Sequence, residues 1–77
     1  MTRYQAEKAL LVIIPGSWVK QKMQEAGGLR VTAYAPGGDK WVVEDGTSPS
    51  RAWDRLVEKV RVARAVEGRG RDPLPRG

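Results

Sequence analysis

Few side chains of this sequence could perform chemistry, because it contains no histidine and no cysteine. This removes the commonest general base, the thiol nucleophile and the usual ligands of zinc and copper. Glu44 and Asp45 are adjacent, but successive residues of a strand point to opposite faces and do not converge as an acid–base pair. Together with Asp39 they also lack the spacing of a calcium-binding loop. We therefore expect a protein that is not an enzyme and that holds no metal ion and no cofactor.

The positive charge of the chain is the stronger functional signal. The 77 residues carry a formal net charge of +5 and the sequence pI is near 10.1. From Arg51 onward there are eight basic residues against four acidic ones, so this third of the chain holds +4 of the total. Clustered lysine and arginine are typical of proteins that bind the phosphate backbone of nucleic acids. A surface that only keeps the protein in solution is the alternative interpretation.

Three segments could supply a surface for nucleic acid. Lysine and arginine suit phosphate contacts, and an exposed tyrosine suits stacking on bases. Acidic residues, among them Glu44, Asp54 and Glu58, interrupt this surface. The candidate nucleic-acid-binding residues are Arg30, Tyr34 and Lys40 on a hairpin, Arg51, Arg55, Lys59, Arg61 and Arg64 on a helix, and Arg69 and Arg71 in a tail.

The elements that must position these residues form a small α+β domain in the order β-α-β-β-α. Two helices are expected to cover one face of a two- or three-stranded sheet, antiparallel or mixed. The expected elements are a strand at 9–14, a helix at 18–26, strands at 29–35 and 40–44, and a helix at 49–66. For the first element a buried helix from about Arg3 to Ile14 stays open, because periodicity does not settle a short apolar run. The compact domain spans 1–67, and 68–77 is expected to be a disordered basic tail.

The hairpin has a register that burial can select. Residues 29–35 alternate apolar and polar side chains, which is typical of a half-buried strand. A one-residue slip would exchange the two faces, so we expect Ala35 opposite Trp41 and Ala33 opposite Val43, with Tyr34 outside. The expected core consists of Trp18, Trp41, Trp53, Leu56, Val60, Val31 and Ile13.

The last helix shows both a start signal and an unusual apolar pair. Ser48 is expected to be its N-cap, and Pro49 stands at the first helical position, where its missing N–H has no cost. Val62 and Val66 fall on the charged side of this helix. With Val42 of the hairpin's outer face they form a candidate protein-interaction patch. The core-facing stripe comprises Ala52, Trp53, Leu56, Val57, Val60 and Ala63.

The leading hypothesis is a small, basic, non-enzymatic accessory protein that binds nucleic acid mainly through backbone phosphates. The alternative is a protein–protein interaction module, such as an inhibitor or adaptor of a phage or mobile element, which forms a homodimer through the C-terminal helix. The absence of cysteine fits a reducing compartment. The six-residue apolar run 9–14 is too short for a signal peptide or a membrane span. We therefore expect a cytoplasmic protein with no membrane partner.

Overall fold

The chain folds into an α+β domain in which two helices pack on a three-stranded sheet. The computed structural model describes residues 1–46 and 48–70, the last four of these as backbone only. The sheet is antiparallel with the strand order β1-β2-β3. The α+β class and the coverage of the sheet by two helices are thereby confirmed. In chain order the elements are α1 (Arg3–Ile13), β1 (Trp18–Met23), β2 (Leu29–Tyr34), β3 (Lys40–Asp45) and α2 (Pro49–Gly70).

The first element is a helix, so the predicted strand at 9–14 is wrong and the open alternative is confirmed. Its start is a capping box: the Gln5 N–H donates to Thr2 Oγ1 at 3.1 Å, and the Thr2 N–H donates to Gln5 Oε1 at 2.9 Å. Ala6 and Leu10, one turn apart, are the buried residues of the helix. Capping and one buried stripe therefore decide in favour of a helix where the apolar run alone could not.

The second element is strand β1, so the predicted helix at 18–26 is wrong. β1 pairs with β2 along its whole length, from Trp18 opposite Tyr34 to Met23 opposite Leu29. The Gly27-Gly28 pair belongs to the turn between these strands and does not end a helix. Gly28 has φ +93°, and a Cβ there would lie 3.2 Å from the Gly46 Cα, so both its conformation and its surroundings require glycine.

The hairpin of β2 and β3 has the predicted faces but not the predicted register. Ala33 lies opposite Trp41 rather than opposite Val43, a shift of two residues. The Ala35 N–H donates to the Asp39 carbonyl at 2.9 Å, so the loop consists of three residues that end at a glycine with positive φ. A shift of two keeps every side chain on its own face, and Trp41 points inward as expected.

The core lies between the sheet and the two helices, which also contact each other. Trp53 and Val60 are buried and Trp41 and Ile13 pack against the core, as predicted. Trp18 was expected there and is not: 51% of its surface is exposed. The buried apolar residues are Ala6, Leu10, Ile14, Val19, Leu29, Val31, Ala33, Ala35, Val43, Ala52, Trp53, Leu56, Val57 and Val60.

Helix α2 begins as predicted and ends later. The Arg51 N–H donates to Ser48 Oγ at 3.1 Å, which confirms Ser48 as the N-cap. The helix continues to Gly70, four residues beyond its predicted end. Residues 71–77 of the expected basic tail lie outside the described residues, so their disorder stays a prediction. In the part of the chain that the structure describes, neither helix is both long and apolar enough to cross a membrane.

The link between α1 and β1 touches the loop between β2 and β3. Gly16, in this link, has φ +86°, and a Cβ on it would lie 2.9 Å from Pro36 Cγ. The Ser17 N–H donates to the Ile14 carbonyl at 3.1 Å and tightens the same link. Two loops that are distant in sequence therefore meet at one end of the sheet.

Candidate nucleic-acid interface

The face of the sheet turned away from the helices is the candidate site. Alternation along the three strands places nine side chains there, and the strand register arranges them in three rows. They surround a shallow depression of about 600 Å³, which eight of the nine side chains, all except Trp18, line together with Gln21. We call this surface the outer face. Its rows are Trp18, Tyr34 and Lys40; Lys20, Thr32 and Val42; and Lys22, Arg30 and Glu44.

Positive charge predominates on the outer face. Within the three described strands it carries four cations, on Lys20, Lys22, Arg30 and Lys40, and one carboxylate, on Glu44. Glu25 and Asp39 lie in the loops at its two ends. Four like charges on one side of a small sheet create a positive potential that attracts a polyanion. The predicted hairpin residues Arg30, Tyr34 and Lys40 are therefore brought together, as part of a larger set.

An aromatic pair stands in the first row of the outer face. The rings of Trp18 and Tyr34 are stacked, with their centroids 4.1 Å apart and their planes 14° from parallel. The Lys20 ammonium lies 5.9 Å from both ring centroids, within the range of a cation–π contact. Because β1 is an edge strand, no further strand of the described residues lies beyond Trp18. The indole therefore has one ring face against Tyr34 and a second that no strand covers.

The carboxylate of the outer face is bound to its neighbour across the sheet. Glu44 Oε2 accepts hydrogen bonds from Arg30 Nε at 2.8 Å and from Arg30 Nη2 at 2.7 Å. Both side chains remain exposed to a large extent, so solvent and salt weaken their attraction. The pair neutralises part of the positive charge in the third row without burying either group.

The cations of α2 lie in the other layer of the domain, and three of them have close partners. Arg55 Nη1 donates to Asp45 Oδ2 at 3.3 Å, and the Asp45 side chain is almost fully buried. Lys59 Nζ donates to the Val42 carbonyl at 2.9 Å, at the edge of the sheet. Arg61 pairs with Glu58 at 3.0 Å.

The other predicted cations do not join the outer face either. Arg51 is exposed on the first turn of α2, and Arg64 is half-buried and has an interaction of its own. Arg69 lies where the structure describes backbone only, and Arg71 lies outside the described residues. The predicted set is thus divided between two layers, and α2 mixes its cations with carboxylates.

The predicted interaction patch is only partly brought together. Val42 and Val62 line a groove of about 750 Å³ between β3 and α2, and acidic and basic side chains of α2 line it as well. Val66 lies one helical turn beyond Val62, and the two are 57% and 49% exposed, respectively. Val62 and Val66 are therefore uncovered within the described part of the domain.

Sequence reasoning missed the contribution of β1, which consists of Trp18, Lys20 and Lys22. The signal was present, since residues 18–23 alternate between this set and Val19, Gln21 and Met23. The same residues also fit a short amphipathic helix. Only pairing with β2 distinguishes the two arrangements, and it places both lysines on the outer face.

Among residues 1–46 and 48–70, no group of three acidic, histidine or cysteine side chains could hold a metal ion. The chemistry of the outer face is therefore that of its cations, its aromatic rings and one carboxylate. Comparisons with protein-family models, with curated proteins and with solved structures each find no match to this chain.

Proposed function

We propose that this protein is a small, non-enzymatic accessory protein that binds nucleic acid mainly through phosphate contacts on the outer face. The observation that carries the proposal is that four cations share a sheet face with the aromatic pair, of which Trp18 is half exposed, and that neither described helix covers this face. Phosphate contacts supply most of the affinity of sequence-independent binding, and lysine and arginine make them. The cations of α2 contribute less in this proposal, because carboxylates of the same helix stand among them.

The test compares two double variants that remove the same charge from different surfaces. Lys20→Gln/Lys22→Gln removes two cations from the outer face, and Arg51→Gln/Arg61→Gln removes two from α2. Affinity for labelled DNA and RNA, single-stranded and duplex, is measured by fluorescence anisotropy at low salt. Losing two phosphate contacts should weaken binding at roughly 0.1 M salt by about 25-fold for a single strand and about 60-fold for a duplex, whereas the α2 variant should lose only a few-fold. Equal losses, or wild-type affinity that does not fall with salt, would refute the proposal.

A second candidate function is self-association through α2, which the exposed pair Val62 and Val66 favours. Two apolar side chains one turn apart suit contact with the same pair on a second copy of the chain. Light scattering should then report a dimer for the wild type and a monomer for Val62→Asp/Val66→Asp. A wild-type protein that stays monomeric at high concentration would remove this candidate.

A further inference from the structure

The aromatic pair indicates which form of nucleic acid the outer face suits. Trp18 is half exposed although its indole is the largest apolar side chain of β1, and it stacks on Tyr34 instead of entering the core. Burying this indole would stabilise a folded chain by about 2 kcal/mol or more, so its exposure needs a reason. Successive bases of unpaired strands stack on exposed aromatic side chains, with little dependence on base identity.

Space for a further ring adjoins Trp18. A cleft of about 240 Å³ lies between α1 and the start of β1, lined by Glu7, Leu11, Ser17, Trp18 and Val19. Leu11 supplies an apolar wall, and 48% of its surface is exposed. Within the described part of the chain, the buried Ser17 hydroxyl has no hydrogen-bond partner. A planar group with polar edges would therefore meet apolar surface and a polar group that lacks a partner.

The cations lie where a strand that continues from this cleft would meet them. Lys20 and Lys22 follow Trp18 on the same face of β1, two residues apart. At about 3.3 Å per residue, the three rows of the outer face extend over roughly 13 Å. A backbone that follows β1 can thus place phosphates near both lysines while a base occupies the stack.

We propose that the outer face binds single-stranded nucleic acid, with an unpaired base stacked on the free side of Trp18 and the phosphates of the strand in contact with Lys20 and Lys22. This inference rests on the proposed nucleic-acid function and adds the strandedness and the stacking residue. In a duplex each base lies between its neighbours, so its ring faces are not available to the indole. The same chemistry serves DNA and RNA.

The test uses a mixed-sequence DNA strand, the RNA strand of the same sequence, and the DNA annealed to its complement. Either single strand should bind more tightly than the duplex at equal salt. Trp18→Leu should weaken single-strand binding by about 5- to 150-fold, the usual effect of removing one stacking partner. The matched control is Tyr4→Leu, because Tyr4 is also an exposed aromatic residue beside a lysine, but it lies on α1. This control should leave binding unchanged.

A conservative variant separates stacking from loss of structure. Trp18→Phe should keep single-strand affinity within a few-fold, whereas most of the quenching of tryptophan emission by the bound strand should disappear, since Trp53 is buried and Trp41 is partly buried against the core. Equal affinity for single strands and duplex, with no effect of Trp18→Leu, overturns the inference and leaves the proposed function standing. If no polymer binds at low salt, both are overturned.

Discussion

Neutralising Glu44 should increase the affinity of the outer face for a single strand. The Glu44 carboxylate is the acidic group of the three described strands on this face, and it holds the Arg30 guanidinium at 2.7 Å. Glu44→Gln removes the negative charge, keeps the size of the side chain and frees Arg30 for a phosphate. Within the described residues, the outer face would then offer four cations without a carboxylate partner instead of three.

The size of this effect follows from the counterions that a bound strand releases. Each phosphate contact on a single strand adds about 0.7 to the slope of log affinity against log salt, so the slope should change from about −2.1 to about −2.8. At roughly 0.1 M salt the same contact corresponds to an affinity about five times higher. The cost in folding stability is small, because exposed ion pairs contribute about 0–1 kcal/mol.

Fluorescence anisotropy with a labelled single strand, at several salt concentrations between about 0.05 and 0.2 M, measures both quantities. Glu58→Gln is the matched control, because Glu58 is similarly exposed and pairs with one arginine, Arg61, at 3.0 Å, but on α2. Only Glu44→Gln should raise the affinity and steepen the slope. If both variants raise affinity equally, the net charge of the protein decides binding. If only Glu58→Gln does, α2 is the binding surface. Either result would refute our reasoning.

Three further predictions concern the elements that hold the outer face. Trp18→Ala should lower the free energy of unfolding by about 1 kcal/mol, the value of an aromatic pair at the surface, whereas Trp53→Ala should lower it by about 3–5 kcal/mol. Urea denaturation measures both losses, and similar losses would place Trp18 in the core. Ser48→Ala should remove about 1 kcal/mol through loss of the α2 N-cap, while Ser48→Gly should cost only a few tenths, as the same assay can show. Gly28→Ala should reduce the midpoint of thermal unfolding, because alanine resists the positive φ and would crowd the Gly46 backbone; an unchanged midpoint would contradict this.

Local signals were sufficient to predict the C-terminal half of the fold. Strict alternation fixed the two faces of β2, hairpin pairing then assigned those of β3, and the Ser48-Pro49 start with its apolar stripe located α2. The register of the hairpin was two residues off, because it depends on a three-residue loop whose backbone geometry the pattern of side chains does not reveal. The face on which each side chain lies was still predicted correctly, because a shift by an even number of residues does not change it.

The N-terminal half of the fold was harder to predict, because its segments fit both the period of a helix and the period of a strand. Residues 18–26 match an amphipathic helix as well as a strand, and the choice depends on hydrogen bonds to β2, which no local pattern reports. This error had a functional consequence: it removed Trp18, Lys20 and Lys22 from the candidate site. The hairpin part of the site was predicted, and the strand that completes it was not.

The contact of Gly16 with Pro36 bears on how the aromatic pair could serve as a rigid platform. Trp18 follows the loop that contains Gly16, and Tyr34 precedes the loop that contains Pro36. Contact between these loops therefore restricts the movement of the two strand ends that carry the rings. A ligand that docks there would find the backbone already ordered, and less of its binding energy would be lost to immobilising the chain. Pre-organisation of this kind makes the distance between the two rings depend on residues that do not contact the ligand. Substitution of Gly16 is therefore expected to change the aromatic pair from a distance.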